Sequence, residues 1–378
     1  MNLNNKTIVH ISNFRANFVG TFIKQITTIS NKIIKNGGNV VLIFPEEAKE
    51  LAWSDELSKK YSIYFVPSPT RSNYYKVWTI LKDIFYKENA YIVHSHFDGY
   101  DLVSLKAMKK KGKVIWHSHN AIDIEKLVFL KRMYAKTYLY IKYKILSKDK
   151  YMIFLDDHFR KEAINRKIVG KERSCIITNA IDFERLKIAD GKPLKKQFYL
   201  DVEKKLVLAF VRDSYGKGLD LILNSFEKIN KSECYLNLAL VCSENSKEFL
   251  LKRYNGNIPS YILILNSKEN VSDYYNMADI FISASRKETF CNAVAEAVYM
   301  EKEVISSDID GLQWAKELPS VVFFENENYE DLYRTILEVI KVKNNNYDKH
   351  LQSKKIIESK YTIDSWSDKI IQYYYSII

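Results

Sequence analysis

Residues 205–222 read KLVLAFVRDSYGKGLDLI, and the order of residue types in this stretch decides the fold class. An apolar run ends at Val211, a polar turn containing Gly216 and Gly218 follows, and a helical pattern begins near Leu219. So short an apolar run, bounded by polar residues, is typical of a strand that is buried on both faces of a parallel sheet. The stretch therefore predicts a strand, a loop at its carboxyl end and a covering helix.

The same alternation of strand and helix recurs along the chain in both directions. Strand-like segments before this stretch are KTIVHIS, NVVLIFP, YSIYFVP, AYIVHSH, KVIWHSH and KYMIFLD, and those after it are YLNLALVC, YILILN, DIFISAS, EVISSD and VVFFEN. Helical segments between strands predict βαβ units and parallel sheets covered on both faces. We expect an α/β protein with two doubly wound domains, residues 1–186 and 200–355, facing a cleft. The Lys-rich segment 187–204 is predicted to link them.

Length and charge restrict the class of protein. A chain of 378 residues predicts two or three domains, and 47% apolar with 28% charged residues excludes a disordered chain. The net charge of +12 favours polyanionic partners such as nucleic acid, anionic lipid or phosphorylated small molecules. The lysines are dispersed and no nucleic-acid-binding module is recognisable, so binding to nucleic acid rests on charge alone.

Cysteine use and hydropathy indicate the compartment. The four cysteines show neither a CxxC pair nor a nearby metal-ligand pattern, and we interpret them as reduced thiols: Cys175, Cys234, Cys242 and Cys291. The start, MNLNNKTIVHISNF, lacks the pattern of a signal peptide, and no apolar stretch approaches 18 residues. We expect the protein in the cytoplasm or at the inner face of the cell membrane.

The loop of the opening stretch carries two cations, Arg212 and Lys217. Cations at the carboxyl end of a strand, beside a helix N-terminus, suit a diphosphate. The spacing is not that of a Walker loop. The alternative is an ordinary polar loop with two solvated cations.

A second loop, SRKETFCNAVAEA at 285–297, carries two glutamates eight residues apart. Glu288 is predicted in the loop after a strand, and Glu296 in a helix that begins at about Asn292. Two carboxylates facing one site can each accept hydrogen bonds from a diol. The backbone N–H groups of Phe290, Cys291 and Asn292 are candidate donors to ligand oxygens, as at a helix start. The alternative is an amphipathic helix with Glu296 on its solvent face.

These two loops resemble motifs of the retaining glycosyltransferases of family 4, also called glycosyl transferases group 1, which have the GT-B fold. Glu288 and Glu296 resemble the E-x7-E signature, and RDSYGKGLD resembles the Arg…Lys-Gly donor-phosphate loop. ITNAIDFERL is similar to the Asn-Gly-Ile-Asp stretch, and YTIDSWSDKIIQYYYSI to the closing helix. The resemblance implies that helix 363–378 crosses back to the N-terminal domain.

The resemblance also implies roles for the site residues. Glu288 would contact hydroxyls of the transferred sugar, and Glu296 the ribose hydroxyls of a nucleotide-diphosphate sugar, a UDP-sugar foremost. Arg212 and Lys217 would neutralise the diphosphate leaving group, with no metal ion or cofactor. Gly20 would belong to the donor site as well. The leaving phosphate would take the acceptor proton on one face of the sugar, which retains the configuration.

The sequence departs from the family pattern in several loops. Only Gly20 stands where the family has a Gly-Gly pair, and Val211 replaces the Gly before the phosphate-binding Arg. Ala180 replaces the Gly of Asn-Gly, and residues 289–291 read Thr-Phe-Cys in place of Gly-Phe-Pro.

Two HxH pairs, His94/His96 and His117/His119, lie at successive strand ends. Such pairs can bind a metal, but the resemblance implies acceptor-side roles for His96, His117 and Asn120. His119, or less favourably His117, would approach the reacting sugar. Alternation places both members of a pair on one face, so the pattern does not separate them.

Residues 126–150 interleave Lys and Arg with aromatic and aliphatic residues, as in a helix that lies on an anionic membrane. The alternative is a helix with one face in the core. The acceptor is expected to be a growing surface glycan on a lipid carrier, or alternatively a glycosylated protein. Other functions compatible with the sequence are a nucleotide-sugar 2-epimerase and a non-catalytic glycosyltransferase-like subunit.

Overall fold

The structure is a computed structural model. It describes residues 3–108, 112–119, 133, 137, 140–145, 147–198, 200, 203–231, 236–268, 270–341 and 347–378. The chain divides into two compact units, of which the first comprises Met1–Ala180 with Ile363–Ile378 and the second Ile181–Thr362. Each unit contains one parallel sheet covered by helices on both faces, which confirms the predicted α/β class with two Rossmann-like domains.

The strands form one sheet in each unit. The first sheet has the order β3-β2-β1-β4-β5-β6-β7 and the second β10-β9-β8-β11-β12-β13. Their bounds are β1 Thr7–Ser12, β2 Asn39–Pro45, β3 Ser62–Val66, β4 Ala90–His96, β5 Lys113–Ser118, β6 Tyr151–Phe154, β7 Ser174–Ile176, β8 Leu206–Val211, β9 Asn237–Cys242, β10 Ile262–Asn266, β11 Ile280–Ser283, β12 Glu303–Asp308 and β13 Val321–Glu325.

Thirteen α-helices are found in the described part of the chain. They are α1 Gly20–Lys35, α2 Ala52–Ser58, α3 Tyr74–Lys87, α4 Asp101–Met108, α5 Asp157–Asn165, α6 Lys192–Gln197, α7 Leu219–Lys231, α8 Glu244–Arg253, α9 Ser272–Met277, α10 Asn292–Tyr299, α11 Tyr329–Lys341, α12 Tyr347–Lys360 and α13 Ile363–Ile377. Short 3₁₀ helices are Glu46–Ala48, Lys171–Arg173, Phe183–Arg185 and Asp310–Glu317, and Ile141–Ile145 is a π-helical turn.

Alternation along the strands explains why the first sheet has two cores. Ile8 and Val9 are neighbours on β1, and they pack in different clusters, one containing residues of α1 and α13 and the other residues of α3 and α4. Both residues are fully buried because both faces of the sheet are covered. The last helix is fastened to α1 within the first unit by Lys32, whose Nζ lies 3.0 Å from Asp364 and 2.7 Å from Asp368.

The interpretation of segment 187–204 as a linker is wrong, because part of it packs into the second unit. Helix α6 carries the buried Lys195, whose ammonium binds the carboxylate of Asp279 at 2.9 Å and the carbonyl of Lys204 at 3.3 Å. A Cβ at Gly191 would lie 2.0 Å from the carbonyl oxygen of Asn276, so the entry to α6 lies directly against α9. A lysine that is buried through an ion pair leaves no apolar periodicity for the sequence to show.

Three of the four cysteines lie among the described residues, and all three are free thiols: Cys175, Cys242 and Cys291. Desolvation raises their pKa values, to about 12 for Cys175 and about 11 for Cys242. Cys234 lies outside the described residues. Among the helices that the structure describes, none is both long and apolar enough to span a bilayer.

Candidate functional site

The second sheet brings the two loops singled out in the sequence together. Strands β8 and β11 are parallel neighbours, and the strand order reverses between them. At such a switch point the loops at the carboxyl ends diverge and leave a crevice, where doubly wound proteins bind ligands. The loop after β8 carries Arg212 and Lys217, and the loop after β11 carries Glu288.

Gly218 lets the two loops approach each other. Its φ is +63°, and a Cβ there would lie 2.1 Å from the carbonyl oxygen of Ala284, at the start of the second loop. No side chain fits that space, and L-residues rarely adopt that φ. Within the first loop, the N–H of Lys217 donates to the carbonyl of Asp213 at 2.9 Å, which fixes the turn that leads into α7.

Arg286 joins the two loops, and the sequence did not identify it. Its guanidinium, with the side chain only 7% exposed, donates two hydrogen bonds to Asp220 at 2.9 and 2.8 Å and one to Glu327 at 3.1 Å. The guanidinium also lies 4.0 Å from the ring centre of Tyr215, and its backbone N–H donates to the carbonyl of Gly216 at 2.9 Å. Hydrogen bonding to Asp220 outweighs burial and raises the pKa of Arg286. In the sequence, Arg286 lies in the polar run SRKET and looks like an ordinary solvent-exposed cation. Its role becomes visible only through its contacts with the other loop.

The structure pairs Lys217 with Glu288 directly. The Lys217 ammonium donates to Oε1 of Glu288, and the hydroxyl of Ser285 donates to the same oxygen at 2.9 Å. Burial would lower the pKa of Lys217, but Cys291 and Glu288 outweigh burial and raise it. The backbone of Glu288 is also closely packed, because a Cβ at Gly311 would lie 1.9 Å from its carbonyl oxygen. A charged ammonium and a carboxylate thus stand side by side at the switch point.

Arg212 is the exposed cation of the site. Its carbonyl accepts a hydrogen bond from the Ser243 hydroxyl at 2.6 Å, which holds the backbone at the end of β8. We find no hydrogen bond or ion pair of its guanidinium within the described residues. Arg212 lowers the pKa of Glu296 electrostatically, so the first loop acts on both glutamates.

Glu296 is buried, which contradicts the alternative of a solvent-facing helix residue. It is 5% exposed on α10, and its two carboxylate oxygens have separate partners. Arg185 donates to Oε1 at 2.9 Å, and the hydroxyl of the buried Tyr275 donates to Oε2 at 3.0 Å. Burial raises the pKa of Glu296, and Arg185 and Tyr275 oppose that rise. Neither Arg185 nor Tyr275 was predicted from the sequence as a partner of Glu296, although Arg185 lies in the stretch ITNAIDFERL.

Phe290 and Cys291, between the two glutamates, occupy different structural positions. Phe290 is fully buried and stacks on Trp314 at 4.6 Å between ring centres, and the Trp314 N–H donates to the Phe290 carbonyl at 2.8 Å. Cys291, at φ +60°, is the residue before α10, which begins at Asn292 as predicted. Burial raises the pKa of the Cys291 thiol to about 12, and its sulfur lies 3.7 Å from the Ser283 hydroxyl. The side chain of Phe290 therefore anchors the loop.

Five of the seven histidines form one cluster in the first unit. His94, His96, His117 and His119 are joined by His10 of β1, which the sequence interpretation passed over although it pairs with His94 in register. His10 Nδ1 lies 3.3 Å from His96 Nε2, and His96 Nδ1 lies 3.3 Å from His119 Nε2. Burial lowers the pKa values of all five, to about 3 for His10 and His119, so the imidazoles are neutral at pH 7.

Some rings of this histidine cluster are stacked on one another and others are tilted. One ring nitrogen from each of His96, His117 and His119 lies within 4.8 Å of the others. The rings of His117 and His119 are 4.3 Å apart with planes at 20°, so their lone pairs lie in nearly parallel planes. Binding one ion would require the rings to rotate, because a metal lies in the plane of each imidazole that ligates it.

The remaining predicted residues lie in the first unit or outside the described residues. Gly20 starts α1 in the first unit, at φ +55°. Asn120 lies outside the described residues, as does most of segment 126–150. Lys150, at the end of that segment, is buried and donates to the carbonyls of Tyr143 and Ile168 at 2.9 and 2.6 Å. This lysine therefore belongs to the core.

Known proteins similar to this chain are glycosyltransferases. Residues 24–185 match the family described as Glycosyltransferase Family 4, and residues 204–341 match that described as Glycosyl transferases group 1. An uncharacterized glycosyltransferase of Methanocaldococcus jannaschii, MJ1059, is 21% identical over 71% of this chain and 64% of its own length. CapM of Staphylococcus aureus, a capsular polysaccharide biosynthesis glycosyltransferase, is 24% identical over 42% of this chain and 44% of its own length. The matches thus span less than two thirds of either relative.

Solved structures share the fold over nearly the whole chain. A glycosyltransferase from Rickettsia africae has a TM-score of 0.79 at 16% identity, covering 98% of both chains. The Anabaena protein Alr3699/HepE, in complex with UDP, has a TM-score of 0.77 at 13% identity, covering 98% of this chain and 100% of its own. The chain thus carries, in this order and on the GT-B fold, a domain that matches Glycosyltransferase Family 4 and a domain that matches Glycosyl transferases group 1.

Proposed function

We propose that this protein transfers a sugar from a nucleotide-diphosphate sugar to a glycan acceptor and retains the configuration of the sugar. The observation that carries the proposal is the juxtaposition of two loops at the switch point of the second sheet, where Lys217 contacts Glu288. Arg212 stands at the start of the same loop, and Glu296 follows on α10. Two cations and two carboxylates suit a ligand that has a diphosphate between two polyols.

The cations stabilise the leaving group in this proposal. Charge builds on the departing diphosphate as the bond to the sugar breaks, and fixed cations there lower the barrier because they act on the transition state more than on the substrate. Arg212 is available to the phosphates without breaking an ion pair of the described residues. Lys217 is charged and held in place by Glu288. The reaction then needs no metal ion for the diphosphate.

The carboxylates bind hydroxyl groups. Glu288 accepts hydrogen bonds from the transferred sugar and Glu296 from the ribose, since ionised carboxylates are the strongest side-chain acceptors for diols. The leaving phosphate takes the acceptor proton, and the acceptor attacks the face that the phosphate leaves. His119, neutral at pH 7, is assigned to the reacting sugar on the acceptor side, with His96, His117 and Asn120.

The donor is proposed to be a UDP-sugar and the acceptor a cell-surface glycan of the capsule or exopolysaccharide kind. The UDP-bound Anabaena structure supports the nucleotide, and the capsular polysaccharide relative supports the acceptor class. A lipid-linked acceptor would place the reaction at the cytoplasmic face of a membrane. Thermal stabilisation by UDP-, GDP- and ADP-sugars identifies the donor, because a ligand that binds only the folded protein raises its stability.

Substitution of Glu288 tests the site. Glu288→Gln keeps the shape of the side chain but removes its charge, and we expect transfer from the donor found in the screen to fall about 10²- to 10³-fold. Glu338→Ala, at an exposed position of α11, is the control and should transfer normally. Wild-type activity in Glu288→Gln would refute the assignment. Product analysis with the donor alone detects epimerisation, and NMR of the glycoside linkage reports whether the configuration is retained.

A further inference from the structure

Arg185 stands at the end of the short helix Phe183–Arg185, and its position is fixed from two sides. The hydroxyl of Ser272 donates to the Arg185 carbonyl at 2.7 Å and accepts from the N–H of Lys187 at 3.0 Å. Ser272 begins α9, and Tyr275 on the same helix donates to Glu296. One short helix thus holds both the backbone of Arg185 and the carboxylate that its side chain binds.

The contact between Arg185 and Glu296 uses only part of the guanidinium. Nη2 donates to Glu296 Oε1 at 2.9 Å, whereas Nε is buried and has no hydrogen-bond partner among the described residues. Nε–H and Nη2–H lie on the same edge of the planar guanidinium. The unused donor therefore faces the neighbourhood of the carboxylate. A buried donor without a partner costs free energy, and a ligand oxygen placed there would remove that cost.

The carboxylate has acceptor capacity left. Each oxygen of an ionised carboxylate can accept about two hydrogen bonds, and each oxygen of Glu296 accepts one from the described residues. A hydroxyl group can donate to Glu296 and accept from Arg185 Nε–H at once. The two neighbouring hydroxyls of a diol match these groups better than a single hydroxyl does, because both carboxylate oxygens of Glu296 can accept a further hydrogen bond and Arg185 Nε–H can donate one.

We propose that Arg185 is a positioning residue for Glu296, holding the carboxylate oriented for a ligand diol and presenting Nε–H to a hydroxyl of that diol. The inference rests on the proposed function, in which Glu296 binds the ribose of the donor. Arg185 also opposes the rise that burial causes in the pKa of Glu296. The other groups that act on Glu296 are Tyr275 and Arg212. Burial raises the pKa of Tyr275 well above its usual value, so Tyr275 stays protonated near neutral pH.

The experiment measures how much the ribose hydroxyls contribute to binding, with and without Arg185. Calorimetry on the full chain first compares uridine, guanosine and adenosine diphosphates with wild-type protein. The tightest of them is then compared with its 2′,3′-dideoxy analogue and with pyrophosphate. We expect the ribose form to bind wild-type protein at least about 10-fold more tightly than the dideoxy form, as for hydrogen bonds to a charged group.

Arg185→Gln is expected to bring this ratio close to one and to leave pyrophosphate affinity within about twofold, because the diphosphate is bound by other residues. Arg185→Lys retains the charge but not the fork, and should give an intermediate ratio. In Arg185→Gln, nucleotide affinity should also fall more steeply than in wild type as the pH is lowered, since the loss of Arg185 raises the pKa of Glu296 further. The matched control is Arg253→Gln, which removes a similar contact with Glu227 on the same unit.

Each outcome decides one question. An unchanged ribose-to-dideoxy ratio and pH profile in folded Arg185→Gln would overturn the positioning role and leave the proposed function standing. If wild-type protein bound none of the three nucleotides, the proposed function and this inference would both fail. If Arg253→Gln lowered the ratio as much as Arg185→Gln, the effect would be one of general stability, and the inference would be wrong. Thermal unfolding of each variant verifies that it is folded.

Discussion

Replacing Arg286 by methionine removes the contact that joins the two loops and keeps much of the side-chain volume. The substitution deletes both hydrogen bonds to Asp220 and the one to Glu327, together with a guanidinium donor to the carbonyl of Tyr215. It leaves Asp220 at the start of α7 without its main partner. The backbone hydrogen bond from residue 286 to Gly216 can still form.

The loss of stability in Arg286→Met depends on how exposed Asp220 and Glu327 are. Breaking a fully buried ion pair costs about 3–5 kcal/mol, because the remaining charge is stranded. Here the Asp220 and Glu327 side chains are 34% and 55% exposed, so water replaces part of what Arg286 supplied. We therefore expect a loss of about 2–3 kcal/mol, which is about a 30- to 150-fold fall in the ratio of folded to unfolded second unit.

Hydrogen exchange measured by mass spectrometry tests this value, since it reports on the amides of β8 and β11 separately from the first unit. A double-mutant cycle with Asp220→Asn should show a coupling of about 1–2 kcal/mol. Pyrophosphate affinity should also fall in Arg286→Met, because Lys217 loses its fixed position. Arg253→Met, which breaks a comparable pair on α8, should lower stability and leave pyrophosphate affinity unchanged.

Two results would refute the reasoning about Arg286. Exchange of the β8 and β11 amides within about 0.5 kcal/mol of wild type would mean that the contacts contribute nothing net. Strict additivity with Asp220→Asn would mean that the pair does not carry the effect.

Three further predictions concern the site and the histidine cluster. Gly218→Ala should destabilise the second unit by about 2 kcal/mol or more in thermal unfolding and abolish nucleotide binding. The control is Gly256→Ala, at φ +82° with open space around it, which should lower the stability by about 1 kcal/mol. Lys217→Met should weaken pyrophosphate binding at least about 10-fold by calorimetry and reduce its salt dependence, and Lys228→Met, in an exposed pair, should not. Histidine in the unfolded chain binds a proton below its usual pKa of about 6.5, whereas buried His10 does so only near pH 3. As the pH is lowered between those values, the free energy of unfolding should therefore fall by up to about 1.4 kcal/mol per pH unit for each such residue. A His10→Phe variant whose free energy of unfolding keeps the same pH slope would contradict this.

The sequence predicts the fold well because its strands are buried on both faces. Runs such as LVLAFV have a length and composition typical of a covered parallel strand, and the loops after such strands fall at one edge of the sheet. In the structure two such loops place Lys217 and Glu288, 71 residues apart in the chain, in direct contact. Segment 187–204 was missed because Lys195 is buried through its ion pair with Asp279, a contact that no local pattern shows.

The partners of the predicted residues could not be found in the same way. Arg185, Tyr275 and Arg286 lie on separate elements, and each acquires its role from a contact that tertiary packing makes. His10 could have been found by aligning the first and fourth strands, because the register places it beside His94. Roles in catalysis depend on a bound donor, and for Glu288 and His119 they remain predictions.

The raised pKa values of the thiols make this chain convenient for site-directed labelling. Maleimides react with thiolates, and a thiol whose pKa is near 11 or 12 holds almost none at pH 7. Cys175, Cys242 and Cys291 should therefore stay unmodified in the folded protein. Once Cys234 is replaced by serine, a cysteine introduced at the exposed Tyr215 would react alone. A fluorophore there would report nucleotide binding in real time, beside the cations that we propose bind the phosphates.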